Sequence, residues 1–250
     1  MNQYKFCAND GDIAIAYVQE EGKPNDIIYL NKGNGFPHID LARNPKRKRS
    51  IMPCLPVEDD QVIRFFISGV QGVGKSWLAN EIIKDRLDYC PDKKIFVFSP
   101  FDEDPSLDRD LEDRIERPEP WNYETEEFAN SIVVFDDIDS FSKEPIVTAM
   151  YKLVKTLLQA GRKQGTDVIY IGHTLKNGQR TKYVIQESNY IVVFPNAGND
   201  PQISAFLRDY CGLSKNAIKK ILSIRDSRWA IIHKAFPVYV LTQQSIYFPE

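Results

Sequence analysis

The 250-residue sequence lacks the features of a secreted, membrane-spanning or strongly basic protein. Four scattered cysteines, Cys7, Cys54, Cys90 and Cys211, have neither metal-ligand spacing nor a paired pattern, which predicts reduced thiols in an intracellular setting. The start has no apolar run of a signal peptide, and no apolar stretch reaches membrane-span length. The net charge is only −3, so any surface for nucleic acid must be local. These absences predict a soluble intracellular protein, or one carried inside a particle.

The most specific motif is a glycine-rich segment, residues 69–76, which reads Gly-Val-Gln-Gly-Val-Gly-Lys-Ser. An apolar run at residues 62–67 precedes it and is typical of a buried strand, while residues 77–83 have a helical pattern. This is the Walker A pattern G-x-x-x-x-G-K-S of a phosphate-binding P-loop in its strand–loop–helix context. Backbone N–H groups and the helix N-terminus are expected to bind the phosphates of ATP. The predicted nucleotide-binding residues are Gly69, Gln71, Gly72, Val73, Gly74, Lys75, Ser76 and Trp77.

A second motif provides the acids that such a site requires. Residues 131–137, Ser-Ile-Val-Val-Phe-Asp-Asp, form an apolar run that ends in two carboxylates. The pattern is typical of a Walker B motif, in which Asp136 and Ser76 hold Mg²⁺ and Asp137 activates the attacking water as a general base. Lys75 would reach the β- and γ-phosphates. An ordinary strand exit with two capping acids is the alternative, and the P-loop earlier in the chain disfavours it.

Two further positions are candidates for the catalytic site. The apolar run at residues 167–172 is followed by His173 and Thr174. Either His173 or Thr174 would sense the γ-phosphate, or His173 is an ordinary surface or core histidine. Arg162 follows a predicted helix at residues 145–161. It would either favour the C-terminus of its own helix or reach the nucleotide of a neighbouring subunit as an arginine finger. Arg180, Arg225 and Arg228 are lesser candidates for the finger.

Charged segments supply candidates for contact with a polymer. Residues 174–182 are interpreted as a basic, flexible loop that is either solvated or faces DNA phosphates through Lys176, Arg180 and Lys182. Residues 42–50 are basic and form either a solvated linker, a phosphate contact or a nuclear localisation patch. The acidic segment 101–127 is interpreted mainly as a solvated face.

Strand-like runs alternate with helical patterns, which predicts an α/β fold with a mostly parallel central sheet flanked by helices. Residues 1–56 are predicted to form a small N-terminal β appendage and a basic linker. Residues 57–250 are predicted to form the ATPase domain, with a core at 60–196. Two helices and a hairpin are expected within residues 200–250.

These motifs, in this order, resemble the genome-packaging ATPases of the FtsK–HerA superfamily, as found in nucleocytoplasmic large DNA viruses, virophages and related membrane-containing icosahedral viruses. The resemblance covers residues 60–196 and rests on the P-loop, Phe135-Asp136-Asp137, Gly161-Arg162-Lys163 and Gly172-His173-Thr174. His173 stands where glutamine is more often expected.

The resemblance implies a RecA-like P-loop NTPase that hydrolyses ATP with Mg²⁺. It also implies a homo-oligomeric ring, pentamer or hexamer, that moves double-stranded DNA into a capsid. Arg162 would complete the site of a neighbouring subunit, and capsid or membrane vertex proteins would be partners. The location would be the host-cell cytoplasm or the virion.

Three alternatives remain open from the sequence. The chain could belong to another DNA-translocating ATPase or helicase of the same superfamily. It could be a P-loop kinase for a small molecule, although no arginine-rich lid is evident. It could also be a nucleotide-dependent switch with little turnover.

Overall fold

The structure is a computed structural model, and it describes residues 13–20, 26–30, 39–40, 49–56, 61–121, 123–175, 178–197 and 200–249. The chain divides into two compact units. The P-loop unit is Pro56–Val193, and the terminal unit combines Met1–Leu55 with Phe194–Glu250. Within the described ranges, no helix is long and apolar enough to cross a membrane.

The helices and strands follow one another in an alternating order through the P-loop unit. The strands are β1 (Ile13–Glu20), β2 (Asp26–Leu30), β3 (Ile39–Asp40), β4 (Arg49–Pro53), β5 (Arg64–Ser68), β6 (Lys94–Phe98), β7 (Ile115–Glu116), β8 (Ser131–Asp136), β9 (Asp167–Gly172), β10 (Tyr190–Val193), β11 (Ala230–His233), β12 (Tyr239–Thr242) and β13 (Ser245–Tyr247). The α-helices are α1 (Lys75–Tyr89), α2 (Glu144–Ala160), α3 (Gly178–Glu187), α4 (Asp200–Cys211) and α5 (Lys215–Leu222).

A parallel sheet with the order β10-β5-β9-β8-β6-β7 forms the P-loop unit. Its register pairs Ser68 of β5 with Gly172 of β9, and Asp136 of β8 with Ile171 of β9. Because all strands run in the same direction, the segments that follow β5, β6, β8 and β9 leave from one edge of the sheet. The Walker A loop, the Walker B acids and His173 therefore converge at the carboxyl edge, where ligands bind in open α/β sheets.

The central strands are buried on both faces. Every residue of β8 and of β9 is buried. Such continuous apolar runs are typical of parallel sheets between helices. The predicted helix at 145–161 is confirmed as α2, and its apolar stripe is buried at Met150, Leu153, Val154, Leu157 and Leu158. The predicted α/β fold with a mostly parallel sheet is confirmed.

The terminal unit contains two antiparallel sheets, β2-β1-β4 and β3-β13-β12-β11. The amide N of Ile51 donates to the carbonyl O of Gln243 at 2.9 Å, and the Tyr239 hydroxyl donates to the carbonyl O of Ile15 at 3.2 Å. The predicted C-terminal hairpin is present as β11 and β12, with a further strand, β13, that the sequence analysis did not predict. These bonds join residues about two hundred positions apart.

Two sequence-based boundaries differ from the structure. Residues 194–250 group with the N-terminal segment rather than with the P-loop core, because β13 pairs with β3 and the hairpin bonds to the first sheet. Residues 178–182 were expected in a flexible loop, but they form the start of α3. Val184 and Ile185 of this helix are buried, so an apolar stripe stabilises it. Residues 42–48 of the basic segment lie outside the described residues.

Candidate nucleotide-binding site

The Walker A loop connects β5 directly to α1, which begins at Lys75. Gly72 and Gly74 have φ angles of 77° and 98°, in the left-handed region that favours glycine. A Cβ at Gly72 would meet nothing within 4 Å, so its backbone conformation, not lack of space, requires glycine. The first turn of α1 has no acidic residue, and the first N–H groups of a helix have no intrahelical partner. This end of the helix suits an anion such as a phosphate.

The side chain of Lys75 bonds to the backbone of the Walker A loop. Its Nζ donates to the carbonyl oxygens of Gly69 at 3.0 Å and Val70 at 3.2 Å. The side chain is buried with only 7% exposure, and burial lowers the pKa of Lys75 against the opposing effect of the Asp137 and Asp136 charges. These bonds hold the ammonium beside the Walker A loop, the position from which we predict that it contacts phosphate.

Asp136 ends β8 and is 4% exposed. Burial, together with the charges of Asp137 and Asp104, raises the pKa of Asp136 to about 7. Ser99 lies at the end of the neighbouring strand, with its Oγ 3.5 Å from Oδ2 of Asp136. Among the described residues, Oδ1 of Asp136 has no hydrogen-bond partner. Burying a carboxylate oxygen without a partner costs free energy unless a cation binds it.

Asp137 is in the left-handed region, with a φ of 47°. Its amide N donates to the carbonyl O of Ile171 at 3.2 Å, which holds this uncommon conformation. Within the described part of the chain, Oδ1 of Asp137 also lacks a partner. Such backbone outliers concentrate at functional sites.

The donor set fits a magnesium ion. Hard oxygen ligands such as carboxylates and hydroxyls suit Mg²⁺. Ser76, Asp136 and Asp137 line one cavity, and two of them contribute buried carboxylate oxygens that lack protein partners among the described residues. These residues can therefore hold Mg²⁺ together with nucleotide phosphates.

His173 bridges the Walker A lysine and the Walker B acid. Its Nδ1 lies 3.2 Å from Nζ of Lys75, and its Nε2 lies 2.7 Å from Oδ2 of Asp137. An ammonium has only donors, so Nδ1 accepts from Lys75 and Nε2 carries the proton that is donated to Asp137. The structure therefore brings together three of the four predicted catalytic residues. Thr174, the competing sensor, lines a neighbouring cavity of about 420 Å³ together with Asp137, Asp139 and Arg180.

The nucleotide cavity has a volume of about 590 Å³ and opens at the carboxyl edge of the sheet. Its lining comprises Gln71, Gly72, Gly74, Lys75, Ser76, Trp77, Phe101, Asp104, Ser106, Asp136, Asp137, Ser140 and His173. Six of these were predicted to bind nucleotide. The residues from the loop after β6, Phe101, Asp104 and Ser106, were missed because the acidic segment was interpreted as a solvated face.

Arg162 lies away from the cavity of its own chain. It is exposed in the turn 161–164 between α2 and β9. Burial lowers the pKa of Arg64, and the positive charge of Arg162 lowers it as well. Arg64 begins β5, so both arginines lie toward the amino edge of the sheet. The predicted action of Arg162 on a neighbouring subunit stays a prediction.

The candidate DNA residues have different environments. Lys176 lies outside the described residues. Arg180 is on α3, forms an ion pair with Glu144 and lies 3.7 Å from Oδ1 of Asp139. It also stacks over the Tyr151 ring at 5.6 Å. Lys182 is exposed on the same helix. Arg180 is therefore already engaged with carboxylates beside the catalytic site, whereas Lys182 is accessible to a phosphate.

Comparisons with known proteins find chains of similar fold and sequence. No protein-family model matches the chain. The genome-packaging NTPase B204 of Sulfolobus turreted icosahedral virus 2, solved with sulfate, superposes with a TM-score of 0.50 at 13% identity, covering 76% of this chain and 97% of B204. The chain therefore shares the fold of B204. The predicted resemblance is thus confirmed at the level of the fold.

Two further proteins are similar over most of the chain. The pCW3 conjugation coupling protein TcpA, in its monomer form with ATPγS, has a TM-score of 0.52 at 13% identity, covering 95% of this chain and 78% of TcpA. In sequence, the chain is 26% identical to Uncharacterized protein V3 of the Sputnik virophage over 234 residues, which covers 90% of this chain and 86% of the relative.

Proposed function

We propose that this protein is the ATPase of a viral DNA-packaging motor, which couples Mg²⁺-dependent ATP hydrolysis to movement of double-stranded DNA into a capsid. The observation that carries the proposal is the cluster of Lys75, His173 and Asp137, joined by contacts of 3.2 and 2.7 Å at the P-loop. The fold shared with a packaging NTPase and the similarity to a virophage protein support the choice of this motor.

The residues of the cavity have separate roles in hydrolysis. The Walker A backbone and Lys75 would bind the phosphates, and Ser76 and Asp136 would hold Mg²⁺, which would supply positive charge against the charge that develops on the phosphate oxygens. Asp137 accepts a proton from the attacking water. His173 donates to Oδ2 of Asp137 and so orients this base, and it also contacts the lysine that faces the γ-phosphate.

The motor would be a homo-oligomeric ring, a pentamer or hexamer, in which Arg162 of one subunit stabilises the transition state in the next. Exposed basic side chains such as Lys182 would contact the DNA backbone, because a motor that moves any sequence must rely on phosphate contacts. Capsid or membrane vertex proteins would be partners in the host-cell cytoplasm or the virion.

ATP hydrolysis measured with and without double-stranded DNA, together with the mass of the assembled species, tests the proposal. We expect DNA to increase turnover and to accompany ring assembly. Lys75→Ala should abolish nucleotide binding or turnover, and Asp137→Asn should retain binding without hydrolysis. Asp113→Asn, an exposed acid that does not line the cavity, is the matched control.

The same experiment separates the competing functions. Transfer of phosphate to a small acceptor, without any effect of DNA, would replace the motor with a kinase. The fold shared with TcpA supports a second candidate, a DNA-translocating ATPase outside packaging. Binding to capsid proteins distinguishes the two DNA motors.

A further inference from the structure

A third carboxylate lines the nucleotide cavity, and it comes from the segment that follows β6. β6 pairs in parallel with β8, and its register sets Phe98 beside Phe135, one residue before Asp136. The segment that follows β6 therefore leaves the sheet beside the Walker B acids. Asp104 in this segment lines the same cavity as Lys75 and Asp136. Its charge acts on both of those side chains.

The P-loop helix holds the segment that carries Asp104. Asn80 of α1 is fully buried, and its Nδ2 donates to the carbonyl oxygens of Leu107 and Arg109, each at 2.8 Å. Leu107 is itself fully buried. A buried amide with two such bonds is a strong anchor, since breaking them would leave polar atoms unsatisfied. The segment is therefore attached to the helix that begins at Lys75.

Local hydrogen bonds also set the orientation of Asp104. Its amide N donates to Oδ2 of Asp108 at 2.9 Å, and Oδ1 of Asp108 accepts from Arg117 at 2.7 Å. Oδ1 of Asp104 accepts from the amide N atoms of Ser106 at 2.8 Å and Leu107 at 3.2 Å. Both bonds to the Asp104 side chain use the same oxygen, and an asparagine in its place can accept them with its own Oδ1.

The balance of charge around the cavity favours a bound cation. Among the described lining residues, Asp104, Asp136 and Asp137 are acids, and Lys75 is the only lysine or arginine. Oδ1 of Asp136, in a side chain that is 4% exposed, has no hydrogen-bond partner among the described residues. A divalent ion would neutralise the excess negative charge and bind the unpartnered oxygen of Asp136. Three carboxylates so close together would otherwise repel one another.

We propose that Asp104 is a positioning residue for the magnesium site, where its carboxylate accepts hydrogen bonds from water bound to the ion held by Ser76 and Asp136. This inference rests on the proposed function. Mg²⁺ in nucleotide sites keeps several water ligands and takes only one or two carboxylates directly. Asp104 thus acts through water.

The test measures metal binding apart from turnover. Binding of Mn²⁺ to the full chain with ADP is followed by electron paramagnetic resonance, for the wild type and for Asp104→Asn. Asparagine keeps the two bonds to the loop and removes the charge. We expect about tenfold weaker Mn²⁺ binding, the range found when a partner of a metal ligand is lost. Asp102→Asn, an exposed acid two residues away, is the matched control and should stay within about twofold of the wild type.

A second measurement separates positioning from a structural role. ADP binding in the presence of EDTA should be equal in the wild type and Asp104→Asn, and Asp104→Glu should recover part of the Mn²⁺ affinity. Equal Mn²⁺ affinity in Asp104→Asn and the wild type would overturn the inference, as would an equal loss in Asp102→Asn. Weaker ADP binding in EDTA would also overturn it. If the wild type binds no nucleotide at all, the proposed function itself fails, which is a distinguishable result.

Discussion

His173 donates a hydrogen bond from Nε2 to Oδ2 of Asp137, 2.7 Å away. The other ring nitrogen lies 3.2 Å from Nζ of Lys75. One side chain thus links the Walker A lysine to the carboxylate that we propose as the general base. We predict that a phosphate which draws Lys75 away from the His173 ring changes the hydrogen bonding of Asp137, and such a response would make His173 the γ-phosphate sensor.

Removing the His173 ring should impair hydrolysis more than binding. We expect His173→Ala to lower kcat by about 10- to 100-fold, because Asp137 loses the donor that orients it. His173→Gln should retain more activity, since an amide has both a donor and an acceptor. Steady-state turnover and binding of a fluorescent ATP analogue measure the two effects. Thr174→Ala is the matched control, and a larger loss in that variant would assign the sensor to Thr174.

The stability of the metal-free protein should depend on pH through Asp136. Burial raises the pKa of Asp136 from 3.8 to about 7, so the folded state binds this proton more tightly than the unfolded state does. The resulting stabilisation is complete below the unfolded pKa and is lost as the pH rises through about 7. Asn cannot ionise, so Asp136→Asn should increase the free energy of unfolding by about 1 to 3 kcal/mol at alkaline pH.

Denaturant unfolding without Mg²⁺ or nucleotide, across a series of pH values, measures this difference. It should shrink steadily as the pH falls from about 7 toward the unfolded pKa of 3.8. Asp113→Asn, an exposed acid, should show no such trend. A constant difference between Asp136→Asn and the wild type at every pH would contradict the prediction.

Mixed subunits test the action of Arg162. Because this residue lies toward the amino edge of its own sheet, away from its own P-loop, its removal can affect catalysis only through a neighbour or through folding. We expect Arg162→Ala subunits to lower the activity of wild-type rings by more than their share, measured as ATPase rate against the fraction of variant. Lys163→Ala, its exposed neighbour, is the control. Activities that fall in simple proportion would reject the arginine finger.

Arg180 and Lys182 should behave differently although both are basic residues of α3. Arg180 pairs with Glu144 and Asp139 beside the catalytic cavity, so Arg180→Ala should lower turnover both with and without DNA. Lys182→Ala should lower the ratio of DNA-stimulated to DNA-free turnover and make that stimulation more sensitive to salt. ATPase assays over a range of salt concentrations measure both. A loss confined to the DNA-stimulated rate in Arg180→Ala would restore its assignment as a DNA contact.

A buried ion cluster should be essential to the stability of the P-loop unit. Asp167 is fully buried, and its Oδ2 lies 2.9 Å from Nε of Arg86 and 3.4 Å from Nζ of Lys93. Its Oδ1 accepts from the amide N of Ile63 at 2.8 Å. Asp167→Asn would leave two buried cations without an anion, so we expect a loss of about 3 to 5 kcal/mol in the free energy of unfolding.

Chemical denaturation measures this loss, and Glu187→Gln is the control. Glu187 pairs with Arg64 at 3.4 Å, but its side chain is 42% exposed. Water screens such a pair, so its removal should cost less than about 1 kcal/mol. Comparable losses in the two variants would show that the burial of Asp167 has no special effect.

The sequence alone predicted the elements that have local signals. The eight-position Walker A pattern, the apolar run before Asp136 and the period of α2 each depend on neighbouring residues. The alternation of strands and helices then placed the Walker motifs at one edge of a parallel sheet, because parallel strands bring their carboxyl ends together. The nucleotide cavity and most of its lining followed from these signals.

Only the tertiary structure decided which distant residues meet. The pairing of β13 with β3 and the bond from Tyr239 to Ile15 join the chain ends, and no local pattern encodes such contacts. The acids of residues 101–127 resemble a solvated surface in sequence, yet anchoring by Asn80 turns Asp104 toward the cavity. Arg180 became part of an ion-pair network because α3 lies beside Glu144 and Asp139. Local propensity sets each element, but burial and charge between elements determine the site.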